Sequence, residues 1–241
     1  MAIKTYFIGG IASDERIFKH QMVAVDHAVY LPFPRHDKHD TMETYVQKFI
    51  PQIDTTQPFN LVGNSMGGIM VMELIKHLHP QKVVLISSVK SRKEMPFILK
   101  HLKYTNAHKL LPGRGFIGFI QFGSLFKNEV LKVPGMRRMA VSMAKSNDPS
   151  FLYWCVDAIV KWNGKEDYRK DIIHLHGTKD EMFPFRNIKN AIPVKGGTHS
   201  MLLIQHEEVN SLLLQSLNGT SVRGENNQQP DEYQNAHSGE K

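Results

Sequence analysis

Apolar residues in this chain concentrate in short runs, separated by longer segments in which they recur every third or fourth position. The runs cover residues 3–8, 27–31, 59–62, 82–86, 172–175 and 191–194, and the last is interrupted by Pro193. Between them, residues 14–23, 41–53, 66–78 and 201–214 carry the helical spacing. In 41–53 it is written by Met42, Tyr45, Val46, Phe49, Ile50 and Ile53. Ser13-Asp14 offers a helix start, Pro32 and Pro34 break the chain, and Pro80 stops the third helix. Continuously apolar strands are apolar on both faces. Strands that alternate with helices of 10–15 residues therefore predict right-handed crossovers and a parallel sheet covered on both sides.

The alternation fails between 88 and 170. This stretch holds Lys- and Arg-rich helical patterns, a Phe-rich segment from Phe116 to Phe126, and turns at Pro112-Gly113 and Pro134-Gly135. A structureless connection of that length is rare, which makes it an inserted helical cap. The expected organisation is a core of 1–87 and 171–217, a cap of 88–170, and a polar tail of 218–241. The tail, rich in Gly, Asn, Gln, Ser and charge, is expected to be disordered.

At 241 residues, 41% hydrophobic and 22% charged, the chain can bury a substantial core. No run reaches the ~18 apolar residues of a spanning helix. The opening residues lack the charged lead of a targeting segment and read as the first strand. Cys155 is the only cysteine, so no internal disulfide forms, and the expected compartment is the cytoplasm.

Candidate chemistry enters at Gly63-Asn64-Ser65-Met66-Gly67, which fits G-x-S-x-G and lies where the third strand should turn into a helix. Such a turn strains the central residue. Gly63 and Gly67 supply the missing Cβ clearance, and Gly68 lets the helix approach the sheet. A serine held there sits at a helix N-terminus, where developing negative charge is favoured. It still needs an imidazole to take its proton and a carboxylate to fix that imidazole. Asp180 follows the fifth strand in His176-Gly177-Thr178-Lys179-Asp180, and His199 follows the sixth in Gly196-Gly197-Thr198-His199. Ser65, Asp180 and His199 should all reach one edge of the sheet. The segment after the fourth strand, Ser87-Ser88-Val89-Lys90, offers no carboxylate, while Asp157, Asp167 and Asp171 read as solvated positions.

On Gly9-Gly10, the Ser65 motif, the Asp180 loop and Gly197-Thr198-His199, the chain resembles the α/β-hydrolase superfamily, in its small capped esterase and thioesterase branch. The resemblance covers roughly 1–217. It implies a Ser65 nucleophile, a His199 base, an Asp180 orienting acid and no cofactor or metal. It further implies an oxyanion hole from the backbone N–H groups of Ile11 and Met66. The chain departs from the family in lacking the opening antiparallel strands, so the sheet should be trimmed to about six mainly parallel strands. It also has Gly9-Gly10 where His-Gly is usual, a change that backbone donors tolerate. The implied activity is hydrolysis of a carboxylic ester or thioester. An acyltransferase using the same acyl-enzyme and a non-catalytic small-ligand binder are the alternatives.

Other residues carry two readings each. Gly10 borders the expected site. Phe116, Phe119 and Phe122 are either cap core or an apolar wall for an acyl or aryl group. Net charge is +7, and 88–170 holds 16 Lys and Arg against 6 Asp and Glu. Arg114, Lys127, Lys132, Arg137, Arg138 and Lys145 are either a solvated face or a landing place for an anionic carrier or membrane surface. No phosphate-cradling motif is present, which leaves nucleic acid without support. His174 and His176 share a strand face and read as structural histidines. Asp14 and Arg16 are either a local ion pair bracing the loop after the first strand or an ordinary helix start. Cys155, beside Trp154, reads as packing.

Overall fold

Strand β1 (Lys4–Ile8) lies at the centre of the topology, with β2 (Ala28–Tyr30) on one side and β3 (Phe59–Asn64) on the other. In this computed structural model, which describes residues 3–105, 135–165 and 171–219, the sheet continues through β4 (Lys82–Ile86), β5 (Ile173–Gly177) and β6 (Ile192–Val194). The order is β2-β1-β3-β4-β5-β6 and every pairing is parallel. Because β1 is followed by a strand on one side of the β1–β3 pair and β3 by a strand on the other, a crevice opens at the carboxyl ends of β1 and β3.

Two-residue alternation divides each strand between two layers. Tyr6, Ile8, Leu61, Val83 and Leu85 face one side, where α2 (Met42–Tyr45), α3 (Met66–Leu74) and part of α6 (Pro149–Lys161) cover them. Phe7, Val62, Val84, Ile86 and Leu175 face the other. There Phe18 and Val25, flanking α1 (Gln21–Ala24), join α7 (Met201–Ile204) and α8 (His206–Asn218). All nine residues of α3 are buried, so this helix has no polar face to spare. Its one charge, Glu73, accepts from Trp162 Nε1–H at 2.7 Å and from Lys76 Nζ at 2.5 Å. Burial of each large aliphatic side chain contributes about 1.5–3 kcal/mol.

Four expected helices are shorter or broken. Residues 14–23 split into a 3-10 turn, Glu15–Phe18, capped by Asp14, and α1; Phe18 packs on Phe7 with ring centroids 5.1 Å apart. After α2 the chain tightens into the 3-10 helix Val46–Gln52, which contains Pro51, a residue with no N–H to give an α-helical ladder. The helix expected over 66–78 ends at Leu74, and the N–H groups of Lys76 and His77 bond three residues back. The last expected helix breaks at Gln205. Its second part, α8, runs to Asn218 and stops on Gly219 at φ 77°.

Between β4 and β5 the described residues form a 3-10 turn, Arg92–Glu94, then α4 (Phe97–Thr105), α5 (Met136–Lys145) and α6. Val156 and Val160 of α6 are packed on by Ile11, beyond the end of β1, and by Leu99 and Leu102 of α4. The insert therefore meets the core at the crevice. Among the described residues no helix is long and apolar enough to cross a membrane. The expected tail, 218–241, lies outside the described residues from 220 onward.

Candidate active site

The chain reverses between β3 and α3 at Ser65, which has φ 54° and ψ −119°. This conformation costs a residue with a Cβ about 1–3 kcal/mol and persists only where neighbours enforce it. They do so by contact. A Cβ on Gly63 would stand 2.5 Å from the Gly67 carbonyl oxygen, and one on Gly67 would stand 2.1 Å from the carbonyl oxygen of Ile8. A Cβ on Gly68 would meet the Ser88 side chain. Gly67 thus clears the end of β1 as well as the turn itself. From the far side, Ser88 Oγ–H donates to the Ser65 carbonyl at 2.7 Å, and the Ser65 N–H donates to Ile86 O.

The loops after β5 and β6 bring the partners. They are laced together by Thr178 N–H to Val194 O, Lys179 N–H to Gly197 O and Gly196 N–H to Thr178 Oγ1. His199 Nε2 lies 2.9 Å from Ser65 Oγ, and its Nδ1 lies 3.1 and 3.0 Å from the two carboxylate oxygens of Asp180. A carboxylate only accepts, so Nδ1 carries the imidazole proton and Nε2 is left to accept from the serine hydroxyl. Asp180 Oδ1 also accepts from the N–H groups of Met182 and Phe183 at 2.9 and 2.8 Å.

Electrostatics follow from that enclosure. Burial alone would raise the Asp180 carboxyl, but the His199 charge and hydrogen bond hold it below its usual value. Burial alone would lower His199, but Asp180, helped by Glu181, lifts it above its usual value. The pair favours a carboxylate beside an imidazole ready to be protonated.

Gly10 stands against the serine, since a Cβ there would lie 3.1 Å from Ser65 Cβ. Met66 is the first residue of α3, where N–H groups have no intrahelical partner. Ile11 occupies the turn after β1, next to Ala12 at φ 59°. Asp14 and Arg16 form the ion pair, bidentate at 2.8 and 2.5 Å, and Asp14 also caps the 3-10 turn. Sequence reading missed where the pair reaches: Arg16 donates to Ser142 Oγ of α5 at 3.0 Å. Nothing local signals a contact 126 positions away. Cys155 is buried in the main core and its thiol is pushed well up by burial, as packing requires. Arg137, Arg138 and Lys145 are exposed on α5. Phe116, Phe119, Phe122, Arg114, Lys127 and Lys132 lie outside the described residues.

Sequence reading also missed the turn behind the acid. An Asp that bonds backbone N–H groups two and three residues on is a local signal that Asp180 does carry. The link from His176 to that turn is tertiary and has no such signal.

No protein-family model matches the chain, and no curated protein matches it. Solved structures do. MenH from S. aureus superposes with a TM-score of 0.70 at 16% identity, over 90% of this chain and 94% of that one. A thermophilic esterase from Thermogutta terrifontis, malate bound, gives 0.66 at 16% identity over 91% and 90%. A bromoperoxidase from Bacillus anthracis gives 0.62 at 19% identity over 90% and 92%. With its six-stranded parallel sheet and flanking helices, the chain has the α/β-hydrolase fold.

Proposed function

We propose that the protein is a serine hydrolase that cleaves a carboxylic ester or thioester through an acyl-enzyme on Ser65. The observation that carries this is the line of atoms from Ser65 Oγ through the His199 ring to the Asp180 carboxylate, every link at 2.9–3.1 Å. His199 Nε2 takes the hydroxyl proton as Ser65 attacks the carbonyl carbon, and returns it to the leaving alcohol or thiol. It then takes a proton from water, and the resulting hydroxide attack frees the acid and restores Ser65. Asp180 fixes the tautomer and stabilises the imidazolium. The N–H groups of Ile11 and Met66 hold the oxyanion of each tetrahedral intermediate. We assign this chemistry to the cytoplasm, and the exposed Arg137, Arg138 and Lys145 are a candidate landing place for an anionic carrier or membrane surface, the alternative being a plain solvated face.

A fluorophosphonate probe tests the assignment, because it phosphonylates only an activated serine. The parent protein labels and Ser65→Ala does not; Asp180→Asn and His199→Ala label about 10⁴-fold more slowly. Equal labelling of parent and Ser65→Ala, or none of either, ends the proposal.

A further inference from the structure

The two buried histidines of β5 carry an inference that rests on the catalytic reading above. Alternation puts His174 and His176 on the same sheet face, and they are 1% and 0% exposed. His174 Nε2 lies 3.1 Å from His176 Nδ1, with the rings edge to face. At its other end His176 Nε2 lies 2.7 Å from the Phe183 carbonyl oxygen and 3.5 Å from Asp180 Oδ2.

Proton positions follow from these partners. A carbonyl oxygen only accepts, so His176 Nε2 carries a proton. Burial lowers both histidines, in His176 against the pull of Asp180, so each ring is neutral and has a single N–H. His176 Nδ1 is then an acceptor, and His174 Nε2–H must be its donor. The hydrogen bonds run one way, from His174 through His176 to the turn that carries Asp180. The His174 ring is fully enclosed, between His176 on one side and the Ser88 backbone, which acts on it against the lowering effect of burial.

We propose that His176 is a positioning residue for Asp180, and that His174 fixes its tautomer. By holding Phe183 O, His176 keeps the 180–183 turn closed, so that the Met182 and Phe183 N–H groups stay on Asp180 Oδ1. The carboxylate is thereby aimed at His199 Nδ1. The charged and titratable groups around the pair are Asp180, Glu181 and His199 on the loops, and Lys90 and Glu94 after β4. Glu94 is tied by the N–H groups of Lys90 and Lys189, at 2.7 and 3.0 Å.

The test is the second-order rate of fluorophosphonate labelling, followed between about pH 5 and 9, for the parent, His176→Leu, His176→Gln and His174→Leu. Glutamine places an N–H near the position of the imidazole Nε2 and can donate to Phe183 O; leucine cannot. His176→Leu slows labelling on the alkaline plateau by about 10- to 100-fold, the range expected for an acid misplaced by about 1 Å. Its acid limb moves to lower pH, because His199 loses part of the carboxylate that lifts it. His176→Gln recovers to within about threefold, and His174→Leu slows labelling less than His176→Leu, in the same direction. A His176→Leu protein with the parental rate and acid limb overturns the role, as do Leu and Gln variants that are equally slow. The histidine ¹⁵N spectrum of the parent reads the hydrogen-bond chain even if a variant fails to fold. A proton on His176 Nε2 supports the proposal and a proton on Nδ1 overturns it. A parent that does not label, or labels equally after Ser65→Ala, instead strikes the catalytic reading, and this role with it.

Discussion

Helix α3 in the core buries all nine of its residues, whereas α4 in the insert buries none and turns Phe97, Ile98 and Tyr104 outward. The two regions are held by different physics. The core is closed by non-directional burial on both faces of one sheet, with glycines wherever backbones touch. The described helices between β4 and β5 combine burial of one face of α6 with directional bonds from a few side chains. Arg92 donates to the carbonyls of Val160, Trp162, Leu99 and Lys100; Trp162 donates to Glu73, Trp154 to Asp40 O and Arg16 to Ser142. Burial on this scale tolerates little adjustment at a contact, while a set of hydrogen bonds can be lost piecemeal. The strained serine sits on the first kind of support, and the described helices between β4 and β5 draw on both.

One alanine in each region should expose the difference most strongly. In Gly67→Ala the new Cβ stands 2.1 Å from Ile8 O and 2.5 Å from Gly9 O, backbone atoms at and just beyond the end of β1 that cannot swing aside. The expected loss is about 4 kcal/mol, read from urea unfolding or as failure to accumulate folded protein. In Gly135→Ala, at the start of α5, nothing among the described residues lies within 4 Å of the new Cβ, and φ 86° is what is at stake. That change should cost about 1 kcal/mol. Similar losses for both would remove the contrast.

The same contrast explains what the sequence made legible. Strands buried on both faces have to be rich in apolar residues, so β1, β3, β4 and β5 can be read from their runs despite Thr5, Asn60, His174 and His176. Residues that follow such strands gather at one edge, which is how Ser65, Asp180 and His199 become visible although Ser65 and His199 are 134 positions apart. Helix lengths were less legible, because Pro51 and the break at Gln205 act on hydrogen-bonding geometry and leave the apolar spacing intact. In the insert the informative pairs are Arg92 with Val160 and Arg16 with Ser142, whose members carry no mark of each other. His176 behaves like them. Its place on a strand face was readable, but its hold on the Asp180 turn was not.

Arg92→Ala sharpens the comparison at intermediate size. The guanidinium sits at the C-terminal end of α6, where exposed carbonyls carry partial negative charge, and it reaches the middle of α4 with its other nitrogen. Removing it leaves four carbonyls to find water and should cost about 2–3 kcal/mol. The loss should be local. Amide exchange should quicken in Phe97–Thr105 and Pro149–Lys161 and stay slow in β1, β3 and β4. Arg92→Lys should recover only part of the protection, because an ammonium cannot span both helices as a planar fork does. Uniform quickening across the sheet would mean that the insert and core unfold as one.

The core has a soft edge of its own, and the smallest effect belongs there. His20, just before α1, stacks on His206 at the start of α8, with ring centroids 3.7 Å apart and planes 11° from parallel. Asn210 and Gln21 tie the same helices, through Asn210 Nδ2–H to His20 O and Gln21 Nε2–H to Asn210 Oδ1. Burial, then the nearby His206 and Lys19, lowers His20 below its usual 6.5. The folded state therefore binds this proton less readily than the unfolded chain. The stability it contributes is present above pH 6.5 and is lost as the pH falls through the lowered value. The stack is near the surface and screened, so the loss should be only about 0.5 kcal/mol. Comparing Tm at pH 7.5 and 5.5 in the parent and in His206→Gln isolates it, since the other titrating groups are common to both proteins. The variant should show the smaller acid-induced drop. Equal drops would mean that the two rings do not sense each other's charge.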